Sequence, residues 1–206
     1  MSFFDNNKNV GLALIIVGLI NLVAGIGKVV AGFLEEDQDL LVSICFGIAS
    51  LIFGILIFGY GFKVRGGPND QSDIVSGLIR TIGVAMILQA IFFAAGAALQ
   101  SDGGFGNALI AAIVSLIMYI VIGLFLIWVA GKVGGSSKNV ISKILWVILL
   151  VVFLIAVVIS FIDIFNQDLG SLMGILWLVS AICMCIVYIY CFIAMLSEDV
   201  KSSMGI

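Results

Sequence analysis

Read from the N-terminus, the chain is a series of long apolar runs broken by short polar stretches. The runs are Val10–Leu34, Leu40–Phe62, Ile74–Leu99, Ala108–Gly131, Val140–Phe165 and Ser171–Leu196. A helix that crosses a bilayer needs roughly 20 mostly apolar residues, and each run reaches that length. The pattern predicts an all-α integral membrane protein with six transmembrane helices in a single membrane domain over residues 1–206. Composition points the same way: 63% of residues are hydrophobic, only 10% are charged, and the mean hydropathy is +1.34, outside the usual soluble range. The turns between runs leave no room for a soluble catalytic or nucleic-acid-binding domain, so nucleic acid is not an expected partner. The first run exceeds the roughly 7–15 residues of a signal core and no small-x-small site follows it, so it is expected to remain as a span.

Within the runs, small residues recur by sevens. The first carries Gly11, Gly18, Gly25 and Gly32, and the second Gly47, Gly54 and Gly61, with Ser43 and Ser50 extending its stripe. Lipid tails are as apolar as leucine, so helices in a bilayer associate through close packing and interhelical hydrogen bonds, and small residues let backbones approach. A spacing of seven holds such a seam on one face. The two runs are therefore expected to pack as a matched pair, a glycine-zipper hairpin. Bulky residues opposite the first seam, Leu12, Ile16, Leu19, Ile20, Val23, Ile26, Val30 and Phe33, are expected to face outward. The fifth run, almost wholly bulky, is expected to be the most lipid-exposed.

Charge sets the orientation, because cytoplasmic loops carry the excess of lysine and arginine. With alternating spans, Lys8, Lys63, Arg65, Arg80, Lys132, Lys138, Lys143 and Lys201 share one side, while Glu35, Glu36, Asp37, Asp39, Asp102, Asp163 and Asp168 collect on the other. Both termini are thus expected in the cytoplasm, with the protein a multi-pass component of the cell membrane. Tyr60, Trp128 and Trp146 fall near the inner ends of their spans, where amphipathic rings favour the headgroup boundary. The odd-numbered spans also begin about 65 residues apart, and "FKVRGG", "GKVGGSS" and "DVKSS" close successive units. These features predict three two-helix hairpin repeats, about 1–66, 67–135 and 136–206.

Few polar side chains enter the apolar runs. Asn21 lies near the midplane of the first, about 60° from the glycine line, and Gln89 lies at a similar depth in the third. Two amides at that depth are expected either to bond one another across helices or to form a midplane solute site. Lys28, about two turns from the outer end, is expected to snorkel or to pair with Glu35 or Asp163. Arg80, near the inner end of the third run, is expected likewise to snorkel or to pair with Asp73.

The remaining motifs carry little chemistry. "EEDQD" at 35–39 is too short to wrap calcium as a twelve-residue loop does, and "GKVGGSSK" at 131–138 has the wrong residue order for a phosphate loop. Cys45, Cys183, Cys185 and Cys191 all lie within predicted spans and read as packing residues. The chain has no histidine, which removes the usual general base near neutral pH. No catalytic residue, metal or cofactor is expected. The preferred reading is a non-enzymatic membrane protein acting through helix contacts, as a scaffold, an assembly or regulatory subunit, or a homo-oligomer, whose partners are the lipid bilayer and another membrane protein or itself. The alternative is a small solute or ion transporter or channel with its site near Asn21 and Gln89. A water-filled cavity reaching those amides favours the alternative; a dry centre favours the scaffold.

Overall fold

The computed structural model describes residues 6–34, 39–67, 70–101, 104–135 and 139–206. Among these are seven helices: α1 (Asn7–Leu34), α2 (Leu40–Gly66), α3 (Gln71–Leu99), α4 (Gly104–Val133), α5 (Val140–Phe165), α6 (Leu172–Met195) and the short α7 (Glu198–Ser203). The first six are long and apolar enough to span a membrane. Polar caps mark their starts where sequence permits: the Asp39 carboxylate accepts from the backbone N–H groups of Leu41 and Val42, and the Ser171 hydroxyl accepts from that of Gly174, meeting donors that the first helical turn leaves free.

The helices form a bundle in which α1 packs along α2, α3 along α4 and α5 along α6, with α2 against α3 and α1 against α6. α4 and α5 meet only slightly, while α3 also touches α6 across the centre. The α1–α2 contact is set by glycine. A Cβ placed on Gly54 would lie 2.7 Å from the Leu22 backbone nitrogen and 2.9 Å from the Gly18 carbonyl oxygen. On Gly61 it would meet Ile15 N at 2.7 Å and Gly11 O at 2.9 Å, and on Gly47 it would meet Gly25 O at 2.9 Å. Gly32 is closed by the Ser43 side chain, its Oγ 2.9 Å from the same construction. Backbone lies against backbone along this contact, which no side chain larger than hydrogen permits. Gly83 and Gly123 repeat the arrangement once between α3 and α4, each 2.7 Å from the other's carbonyl oxygen by the same measure.

The bulky face of α1, from Leu12 to Phe33, is exposed throughout. The fifth span, however, is not the most exposed helix. In α4 only 11% of the most apolar window is buried, against 22% in α5. The buried residues of α4 all lie at its end, from Gly123 to Val133, whereas α5 turns Ser142, Leu145, Leu149 and Phe153 inward at helical spacing. Bulk did not identify the lipid-facing helix because core and lipid tails are equally hospitable to leucine.

The end of the bundle formed by the start of α1, the end of α6 and α7 is closed. Val64, Val133, Met195, Val200 and Met204 are fully buried there and belong to one continuous apolar core with Ile57, Leu78 and Leu149. Polar side chains tie the elements together: Tyr60 OH donates to Ile74 O at 2.7 Å, Ser76 Oγ to Ala130 O at 2.7 Å, Trp146 Nε1 to Met195 O at 2.8 Å and Ser203 Oγ to Val133 O at 3.0 Å. Tyr60 and Trp146, expected as interfacial anchors, therefore also serve as interhelical ties, while Trp128 stays outward.

Candidate functional site

The seam between α1 and α2 brings residue 50 of α2 level with the polar positions of α1. Asn21 Nδ2 donates to the backbone carbonyl of Ser50 at 2.9 Å, and Lys28 Nζ donates to the Ser50 hydroxyl at 2.9 Å. One helical position earlier, the Ala49 carbonyl accepts from Gln89 Nε2 at 2.6 Å. The carbonyls of α2 have a second lone pair beyond their helical bond, and these three side chains converge on that stretch. The two amides do not bond one another, as one expectation had it; they tether α1 and α3 separately to α2.

Lys28 departs from its expected behaviour as well. It is 0% exposed, so it does not snorkel to the interface. Its ammonium sits over the indole of Trp177, 3.7 Å from the ring centroid, an attraction that strengthens when desolvated. No ion pair joins it to Asp163 among the described residues; Asp163 is exposed near the end of α5. Glu35, the other expected partner, lies outside the described residues. The physical reason is register: the seam aims the lysine stem across α1 toward α2 and α6, where a hydroxyl and an aromatic face are already in place.

These groups line a cavity of about 190 Å³ bounded by Asn21, Lys28, Ser50, Gln89, Trp177 and Ser180, with Phe46, Phe53, Phe93 and Met184 as apolar walls. Asp163 and Gln167 form its rim, on the face opposite α7. At about 30 Å³ per molecule, the space corresponds to about six waters. Asn21 is 2% exposed and Ser180 4%, yet Asn21 Oδ1 and Ser180 Oγ have no hydrogen-bond partner among the described residues. Such atoms cost about 1–3 kcal/mol each if left dry. A second space of about 300 Å³ adjoins on the α4 side, lined by Met118, Tyr119, Ile122 and Tyr188 and sharing Phe53, Gln89, Phe93 and Met184 with the first. Aromatic contacts brace the shared wall: Phe46 meets Trp177 edge-on at 5.2 Å, and Phe93 stacks on Tyr119 at 4.4 Å.

Asn21, Lys28 and Gln89 are thus brought together around one space. Sequence reasoning missed Ser50 as the common partner of Asn21 and Lys28, and Trp177 and Ser180 altogether. The spacing of glycines held a usable signal for Ser50: setting Gly25 opposite Gly47 in an antiparallel pair places residue 50 between Asn21 and Lys28. No comparable signal exists for α6, whose serine and tryptophan are ordinary span residues until the bundle is assembled. No group of three or more metal-ligating side chains occurs among the described residues. Comparison with protein-family models, with curated proteins and with solved structures finds no match to this chain.

Proposed function

We propose that this protein binds a small polar solute inside the membrane and passes it across the bilayer, as a transporter or channel. The observation that carries the reading is the polar cavity beside Lys28, with the unpartnered Asn21 Oδ1 and Ser180 Oγ at 2% and 4% residue exposure. Polar and ionisable groups within a bilayer are costly and mark solute pathways, and transport sites concentrate near the midplane. In this reading the chain is non-enzymatic, lies in the cell membrane with both termini cytoplasmic, and repeats one hairpin three times. The glycine-zipper seam of α1 and α2 and the Gly83–Gly123 approach in α3 and α4 support that repeat; α5 contains no glycine. The seam glycines are consumed within the chain, so they leave no smooth face for a scaffold partner.

Reconstituted vesicles test the reading. Vesicles containing the wild-type protein should swell faster than empty ones in an isosmotic solution of a permeant small polar solute, and Ser180→Leu, which fills the cavity, should abolish the difference. Equal swelling of empty and protein-containing vesicles across anionic, neutral and cationic solutes would refute it. One observation favours the scaffold or homo-oligomer instead: residues 104–122 of α4 contain no buried position, leaving a long face for lipid or a second protein. Crosslinking through that face in native membranes would support the scaffold.

A further inference from the structure

The polar cavity specifies more than a generic solute, because its groups are unequal. The Lys28 ammonium has three donors. One is used by Ser50 Oγ at 2.9 Å, and one side is covered by the Trp177 ring at 3.7 Å. Lys28 also lines the cavity, and no carboxylate is in ion-pair contact with it among the described residues. A buried charge with no counter-ion among the described residues is expensive, and an anionic group bound at this end of the cavity would supply one.

The Asn21 amide imposes a second requirement. Its nitrogen is fixed by donation to the Ser50 carbonyl at 2.9 Å, which a carbonyl oxygen there could not replace, so the amide cannot flip. Its Oδ1 is consequently an acceptor without a partner among the described residues. A halide or any other anion without a donor meets Lys28 and leaves this oxygen unmet. The Ser180 hydroxyl, also unpartnered, accepts or donates as needed. Size limits the ligand further: about 190 Å³ is below the roughly 300–1,000 Å³ of sites for drug-sized molecules, and Phe46, Phe53, Phe93 and Met184 wall it off. Asp163 at the rim repels any anion and a dianion about twice as strongly as a monoanion.

We propose, on the basis of the solute-binding reading, that the cavity takes a small monocarboxylate carrying a hydrogen-bond donor on the carbon beside its carboxylate, a hydroxy or an amino acid. The carboxylate meets Lys28, and the hydroxyl or ammonium donates to Asn21 Oδ1. Lactate, alanine and propionate share one carbon skeleton and differ only in that donor: hydroxyl, ammonium or none.

Thermal unfolding of the wild-type protein in mild detergent, titrated with each of the three and with chloride and glycerol at constant ionic strength, tests the proposal. Lactate or alanine should stabilise with an apparent Kd at least tenfold below that of propionate or chloride, and the better of the two assigns the donor class. Lys28→Met, which keeps the stem and removes the charge, should weaken that ligand at least tenfold. Propionate or chloride matching both donor-bearing ligands would overturn the proposal, as would retained affinity in Lys28→Met. Stabilisation by glycerol alone, unchanged by Lys28→Met, overturns the carboxylate while leaving solute binding in place. No response to any solute, together with absent vesicle swelling, removes both. Should Lys28→Met fail to fold, the wild-type comparison of lactate, alanine and propionate still decides.

Discussion

Gly54→Ala is the smallest perturbation that reads the α1–α2 contact. The added methyl carbon would lie 2.7 Å from Leu22 N and 2.9 Å from both Gly18 O and Leu22 Cα. All three are backbone atoms, so no side-chain rotation relieves them. Ordinary contact begins at 3.4 Å, so α1 must retreat by about 0.7 Å at this point. Overpacking of this kind costs about 1–3 kcal/mol. Opposing it is the intrinsic preference of a helix for alanine over glycine, up to about 1 kcal/mol. Gly59 of the same helix supplies the control, since a Cβ there meets nothing within 4 Å. Gly59→Ala should be neutral or mildly stabilising, and Gly54→Ala should be less stable than it by about 1–3 kcal/mol, read as a lowered unfolding midpoint in detergent. Gly18→Ala should behave like Gly54→Ala, and the double variant should lose less than the two separately, because one retreat of the backbone accommodates both methyl groups. Equal stability of Gly54→Ala and Gly59→Ala would refute close backbone packing as the source of the spacing.

Asn21→Leu and Gln89→Met should each cost about 1 kcal/mol, the scale of interhelical polar contacts in bilayers, and should combine additively in a thermal-unfolding cycle, since they donate to different carbonyls; strong coupling would indicate a direct bond. Val200→Asp places a carboxylate at a fully buried position and should detach α7, read as protease cleavage after Met195 under conditions where the wild type resists. In a background lacking the four native cysteines, cysteine at Asp168 should react with an impermeant reagent in intact cells and cysteine at Arg65 should not. The reverse pattern would invert the assigned orientation.

The spans were legible because hydropathy over 20 residues is set by the bilayer itself. For α5 the expected and observed bounds coincide at Val140 and Phe165, whereas α2 continues to Gly66 and α4 begins at Gly104, since a helix need not stop where its apolar run does. The short α7 escaped notice because periodicity needs a longer window. Its signals were local: Ser197 as cap, with its Oγ accepting from Val200 N at 3.4 Å, the acidic Glu198 and Asp199 in the first turn, and apolar Val200 and Met204 four apart. The amides and the lysine were recognisable as anomalies, but their partners were not. A hydrogen bond from α1 to Ser50 or a ring contact with Trp177 depends on the rotation and register of three helices, and only the α1–α2 register is written in the glycines.

The bundle divides into parts of unequal rigidity, and the cavity lies between them. α1 and α2 are held backbone to backbone, with α3 tethered by Gln89 to Ala49 and by Tyr60 to Ile74. α4 leaves its first two-thirds free of buried residues, and it scarcely meets α5. A solute leaving the polar cavity toward α7 must pass the buried Met195, Val200 and Met204; one leaving sideways must part Phe93 from Tyr119 and cross the second space beside α4. The first path breaks a dense core and the Trp146 and Ser203 bonds, the second displaces one stacked pair. In the proposed transport reading, movement concentrates in α5 and α6 against α1–α4, because α4 is held to α3 at Gly83 and Gly123 and scarcely meets α5. A crosslink between α1 and α2 should leave vesicle swelling intact, and one between α4 and α5 should stop it. Loss of swelling from the first crosslink alone would place the moving joint in the seam and overturn this division.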